Sequence, residues 1–258
     1  MTAAVTEQSA PRAVLVTGSS RGIGRAVAHA FAARGDRVAV HSSSSRPAAE
    51  RVAAELPGSG HVVVQADLAD ADAVGAMVDE AAAGLGGLQV LVNNAGVFTA
   101  HPPLATSYAD WQAAWSRTLA VNLVGAANAT FRAVPHLVAA GGGAVVNVSS
   151  RGAFRGEPDT PAYGASKAGL NAFAQSMALA LAPQRISVTC VAPGFVQTEM
   201  AREVLDGPSG DAVRAQSPYG RVATPEEVAA AVLWLASPEA SFSTGTIIDV
   251  NGASYLRS

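Results

Sequence analysis

The sequence predicts an α/β fold: one doubly wound domain, with a seven-stranded parallel sheet covered by helices on both faces. Three observations predict it. Short β-branched runs alternate with alanine-rich stretches along the whole chain. Those runs are near-continuously apolar rather than alternating, as strands buried on both faces must be. The first run leads through a glycine-rich turn directly into a helical stretch, the opening of a βαβ unit.

The strands are expected at Ala13–Thr17, Arg37–His41, His61–Gln65, Gln89–Asn93, Ala144–Ser149, Arg185–Val191 and Thr246–Val250. Between them the helical pattern predicts Gly24–Arg34, Pro47–Leu56, Ala71–Gly84, Asp110–Ala139, Pro161–Ala182 and Pro225–Ala236. Thr224 is a suitable N-cap for the last helix, with Pro225 opening it and Glu226 and Glu227 facing the positive end of its dipole. Residues 1–11 read as a flexible tail, and 12–258 as the domain. Thr198–Arg221, with Gly207, Pro208, Gly210 and Pro218, shows no clear periodicity and is expected to be a long loop serving as a substrate lid.

Composition excludes several classes of function. Charged residues are 14% of the chain against 49% hydrophobic ones, so neither a disordered chain nor a charged coiled coil fits. A net charge of −3 offers no basic field, hence no nucleic-acid or anionic-membrane partner. No apolar run reaches the ~18 residues of a membrane span, and Met1–Pro11 lacks the pattern of a signal peptide, so a cytoplasmic protein is expected. The single cysteine, Cys190, rules out an internal disulfide and reads as a small buried hydrophobe. The five histidines show no metal-ligand spacing and are expected mostly on the surface or in loops.

The turn Gly18-Ser19-Ser20-Arg21-Gly22-Ile23-Gly24 admits two readings. As a phosphate loop, its glycines let backbone approach a pyrophosphate, and the free N–H groups of the following helix face the anion. As Gly18-x-Ser20-x-Gly22 it also spells the nucleophile elbow of an α/β-hydrolase. That fold needs a histidine late in the chain, and none follows His136. The elbow also belongs after several strands, whereas this turn follows the first.

Tyr163 and Lys167 lie one helical turn apart on a common face. Lys167 is the only lysine in a chain with 16 arginines. A free tyrosine titrates near ~10, too high for acid–base work at neutral pH. An ammonium ~4 Å away, at an effective dielectric of ~20, favours the phenolate by ~4 kcal/mol and brings the phenol to ~7, before any cost of burial.

These motifs, taken in order over residues 12–253, resemble the short-chain dehydrogenase/reductase family in its ordinary single-domain, Rossmann-type branch. Gly18, Ser20, Arg21, Gly22, Ile23 and Gly24 resemble its cofactor loop; Asp67 and Leu68 its adenine contact; and Asn94, Ala95 and Gly96, after Asn93, its sheet signature. Asn122 stands at the family's helix asparagine, Ser150 at its serine, and Pro193, Gly194, Val196 and Thr198 at its nicotinamide segment. The resemblance implies hydride transfer between a nicotinamide cofactor and a ketone or secondary alcohol. In it Ser150 holds the substrate oxygen, Tyr163 carries the proton, Lys167 tunes the phenol and anchors the ribose, and Asn122 holds a water. Within the family, the chain resembles the 3-oxoacyl-acyl-carrier-protein reductases and the sugar, polyol and xenobiotic carbonyl reductases around them.

NADP(H) is the expected cofactor. Ser42, with Ser43, stands where NAD-dependent members carry an acid, while Asp36 lies at the other end of the strand. Arg21 or Arg46 is expected to meet the 2′-phosphate. The substrate is a small molecule; Arg151 and Arg155 either meet an anionic one or are solvated loop charges. Leu170–Ala182 is apolar or small nearly all round, which predicts burial on both sides and a homo-oligomer, a tetramer in this family. The alternatives are an NAD-dependent sugar or polyol dehydrogenase and a cofactor-binding regulator without chemistry.

Overall fold

The computed structural model describes residues 11–257, so the expected tail lies, apart from Pro11, outside the described residues. Seven parallel strands form one sheet: β1 (Ala13–Val16), β2 (Arg37–Ser42), β3 (Val62–Gln65), β4 (Val90–Asn93), β5 (Gly143–Val148), β6 (Ile186–Pro193) and β7 (Ile247–Val250). Their order is β3-β2-β1-β4-β5-β6-β7. The order reverses between β1 and β4, and there the carboxyl ends of the strands part to leave the crevice typical of such sheets.

Burial explains the unbroken apolar runs. Along β1, Ala13 and Leu15 enter the core on one face, while Val14 and Val16 enter the core on the other. The first core is covered by α3 (Ala71–Leu85), α5 (Ala126–Ala139) and α6 (Pro161–Leu181); the second by α1 (Gly22–Ala33), α2 (Arg46–Glu55) and α9 (Pro225–Leu235). Local signals set the helix ends. Asp70 accepts the N–H groups of Asp72 and Ala73 at the start of α3, and Gly86 ends that helix in the left-handed conformation. Thr224 and Glu227 form a reciprocal capping box on α9.

Two expectations are corrected. The helix expected at Asp110–Ala139 begins earlier, as α4 (Tyr108–Leu119) capped by Ser107, and is interrupted by a π-helical turn at Ala120–Gly125 before α5. The expected loop at Thr198–Arg221 contains α7 (Glu199–Asp206) and α8 (Gly210–Arg214). Its apolar residues Val204, Leu205 and Val213 form a small third core with Phe195 and Val222 on either side of it. With only about two turns in α7 and one in α8, that apolar periodicity is too short to stand out in the sequence. Among the described residues, no helix is long and apolar enough to cross a membrane.

Candidate active site

A cavity of about 660 Å³ opens at the carboxyl ends of β1, β4, β5 and β6. The glycine loop forms one wall. Gly18 has φ +63°, and a Cβ there would stand 2.9 Å from Ala95 Cα; a Cβ at Gly24 would collide with the Asn94 side chain and the Gly18 carbonyl. No side chain of the N-cap Arg21 covers the start of α1, so its first N–H groups face the cavity. Asn94 ties the two walls together by donating from Nδ2 to the carbonyls of Thr17 and Gly18 at 2.8 and 3.1 Å.

His41 anchors the same loop. Gly18 N–H donates to Nδ1 at 2.8 Å, and Nε2 lies 3.0 Å from the Ala66 carbonyl. Burial lowers its pKa, which keeps the ring neutral. With both nitrogens held by backbone, His41 is not free to act as a base. His29, His61 and His136 are part-exposed as expected, whereas His41, in β2, and His101, in a loop, are fully buried and hold backbone groups. Nothing in the sequence distinguishes them from His29, His61 and His136.

Apart from Arg46, the cavity lining takes in the residues proposed from sequence for cofactor contact: Gly18 and Ser20 to Gly24 of the loop, Ser42, Ser43, Asp67, Leu68, Asn94 to Gly96, and Pro193, Gly194, Val196 and Thr198. Ser150, Tyr163 and Lys167 also line it, at the far end. Asn122 does not. It sits in the π-helical turn, where its Oδ1 accepts the Val97 N–H at 2.8 Å and its Nδ2 donates to the Val97 carbonyl and Ser166 Oγ at 3.0 and 3.2 Å. It joins the segment after β4 to the helix carrying Lys167.

The electrostatics of Tyr163 differ from the simple pair expected. Burial pushes the phenol above its usual value, the neighbouring Ser150 hydroxyl partly offsets this, and the Glu157 carboxylate adds to the rise. Lys167 Nζ donates to the Val148 carbonyl at 2.8 Å and lies 5.7 Å from the centre of the Tyr163 ring. Burial pushes the lysine down to about 8. The helical spacing brings the side chains together, but the lysine's hydrogen bond goes to the strand. Cys190 is buried as expected, its thiol pushed up to about 12 by desolvation.

The arginines are also reassigned. Arg151 is 3% exposed; it donates to Gln216 Oε1 and Ser254 Oγ at 2.8 and 2.9 Å, lies 3.6 Å from Glu157 and stacks on Phe195. It binds the turn after Ser150 to the segment after α8 and to the C-terminal strand's exit, so it is no solvated loop charge. Arg155 joins it on Gln216. Arg46 pairs with Glu50 and lies outside the cavity lining, whereas Arg21 reaches Glu199 of α7 at 3.5 Å. Sequence reasoning missed Arg51, which lines the cavity with Ser42 to Ser45 and has no hydrogen-bond or ion-pair partner among the described residues. Its place one turn into α2, after the serine run, was the available signal. It also missed Arg117, whose guanidinium holds Asp67 at 2.8 and 3.0 Å and its carboxyl below the usual range.

Residues 18–253 match the family model described as Enoyl-(Acyl carrier protein) reductase. The chain is 40% identical over 248 residues to the cis-4-hydroxycyclohexanecarboxylate dehydrogenase of Sinomonas cyclohexanicum, covering 95% of this chain and 97% of that protein. It is 36% identical over 247 residues to a 3-oxoacyl-acyl-carrier-protein reductase of Staphylococcus aureus, covering 95% and 98%. A short chain dehydrogenase from Burkholderia cenocepacia, solved in complex with NADP, superposes with a TM-score of 0.84 at 35% identity, covering 95% and 97%.

Proposed function

The chain belongs to the short-chain dehydrogenase/reductase family, oxidoreductases of ketones and secondary alcohols that use a nicotinamide cofactor, and on that premise we propose that it is an NADPH-preferring carbonyl reductase. The observation that carries this reading is Tyr163, a half-buried phenol whose raised pKa keeps it protonated beside Ser150 at the inner end of the cavity. A protonated phenol is an acid, which is what an incoming carbonyl oxygen requires.

The residues fit the cofactor. Gly18 and Gly24 let the loop close tightly on Ala95 and Asn94 at the cavity wall, and the start of α1, without a side-chain cap, supplies donors for a pyrophosphate. Ser42 Oγ is buried without a partner among the described residues. Ser42 and Arg51 line the same stretch of the cavity, and this pair is suited to a 2′-phosphate. When bound, the cofactor supplies the hydride. The chain's own work is to hold the substrate oxygen between Ser150 and Tyr163 and to pass the phenolic proton to it. Lys167 keeps a cation at this buried end, and α7, whose Met200, Ala201 and Val204 face the cavity, covers the substrate.

For the substrate we favour a 3-oxoacyl-type ketone, as the Staphylococcus aureus relative's name suggests. Phe98, Phe195, Met200 and Val204 give this end of the cavity apolar walls suited to it. The same walls suit a cyclic ketone, a second reading favoured by the Sinomonas relative; they suit a polyol less well. The same reading makes the enzyme a cytoplasmic homotetramer, supported by the exposed Val124, Phe131 and Leu179 on the helical face. The test is NADPH consumption across ketoacyl thioesters, cyclic ketones and ketosugars. Turnover in the first two classes supports the proposal; cofactor binding without turnover of any of them contradicts it.

A further inference from the structure

Helix α6 carries Tyr163 in its first turn, and that turn is short of acceptors. It opens on Pro161, which has no N–H, and the N-cap Thr160 makes no capping bond with its side chain. The N–H groups of Tyr163 and Gly164 reach the Thr160 carbonyl at 3.0 and 3.3 Å. Ala162, fully buried, needs another acceptor for its N–H. It finds one 61 residues away: Ala162 N–H donates to His101 Nε2 at 3.2 Å.

The rest of the imidazole is held as closely. Nδ1 lies 2.8 Å from the Thr99 carbonyl, the His101 N–H donates to the Asp159 carbonyl at 2.7 Å, and the Trp111 ring meets the imidazole edge-on at 5.3 Å. A carbonyl only accepts and an amide N–H only donates. One form of the ring serves both: neutral, with its proton on Nδ1 and a lone pair on Nε2. The same segment sets Phe98 edge-on against the Tyr163 ring at 5.0 Å. It thus grips the tyrosine both at its ring and at the root of its helix.

We infer that His101 is a positioning residue for Tyr163, acting as a neutral backbone acceptor that fixes the first turn of α6. It is absent from the cavity lining and acts only through the helix. The inference rests on Tyr163 being the group that passes the proton, a step in which a misplacement of ~1 Å costs ~100-fold in rate.

Two amide replacements separate the ring's two roles. The glutamine oxygen of His101→Gln can stand in for Nε2, while the asparagine nitrogen of His101→Asn can replace only Nδ1. His101→Gln should keep kcat within ~3-fold, and His101→Asn should lose ~10-fold or more of kcat, with NADPH Kd and substrate KM held within ~2-fold. Equal behaviour of the two variants, a loss confined to KM, or failure of either to bind NADPH would overturn the assignment. Imidazole 15N spectra of the unaltered protein read the tautomer without turnover; a proton on His101 Nε2 would also overturn it. If Tyr163→Phe kept full activity, the role of Tyr163 would fall, whereas the tautomer would still report on His101 alone.

Discussion

Lys167 Nζ donates to the carbonyl of Val148, the last residue of β5, at 2.8 Å. The only lysine of the chain is therefore fixed to the strand that leads into Ser150, and it reaches Tyr163 only through the ring face. Its burial without a carboxylate partner among the described residues is costly to the fold, so its presence points to chemistry rather than stability.

The first prediction follows from that cost. The folded lysine titrates at about 8, below the 10.5 of a free one. Below about 8 both states are protonated and the burial penalty is full. Between 8 and 10.5 only the unfolded chain holds the proton, so folding stability rises with pH. Lys167→Met should lose turnover yet show a flatter Tm against pH over 7 to 10 than the unaltered enzyme. Parallel Tm curves would contradict this.

The raised phenol sets a second pH dependence. Reduction uses the protonated form and should change little between pH 6 and 8. Alcohol oxidation needs the phenolate, so its kcat/KM should rise by about tenfold per pH unit over that range. Above about 8 the loss of the Lys167 charge should reduce the slope. An oxidation rate already level at pH 7 would place the phenol far lower.

Cofactor choice is tested by binding. Arg51→Ala should weaken 2′,5′-ADP about tenfold, equivalent to ~1.4 kcal/mol, and leave 5′-ADP unchanged. Ser42→Asp should shift kcat/KM toward NADH by at least about tenfold through repulsion of the phosphate. Equal or better efficiency of the unaltered enzyme with NADH would remove this assignment.

Assembly is tested by light scattering. Phe131 on α5 is 73% exposed and Leu179 on α6 is 83% exposed in the single chain, large apolar surfaces for a monomer to leave in water. A stable species near the 25.9 kDa of one chain at micromolar concentration would contradict the homo-oligomer.

Much of this was legible in the sequence, for reasons that differ by residue. The five inner strands are buried on both faces and so largely apolar, while the part-exposed edge strands β3 and β7 were legible from their short β-branched runs alone. The glycine loop and the Tyr163–Lys167 spacing were legible because steric room and helical periodicity are local properties. What escaped depends on distant partners. Asn122's bonds from the π-helical turn to Val97, the burial of Arg151 against Gln216, the lysine's bond to Val148 and the histidine acceptor for α6 join residues that the sequence sets between 19 and 65 positions apart. The phenol itself was misjudged because pairwise attraction was reckoned from spacing, whereas desolvation, which depends on everything packed round the ring, is the larger effect.

The central claim is that Tyr163 passes the proton. It is tested most directly by single-turnover reduction of an active ketone by Tyr163→Phe loaded with NADPH. The rate should fall by ~100-fold or more, while NADPH Kd, measured by fluorescence, stays within ~3-fold of the unaltered enzyme. A variant that kept more than a few per cent of the rate would show that the proton comes from another group.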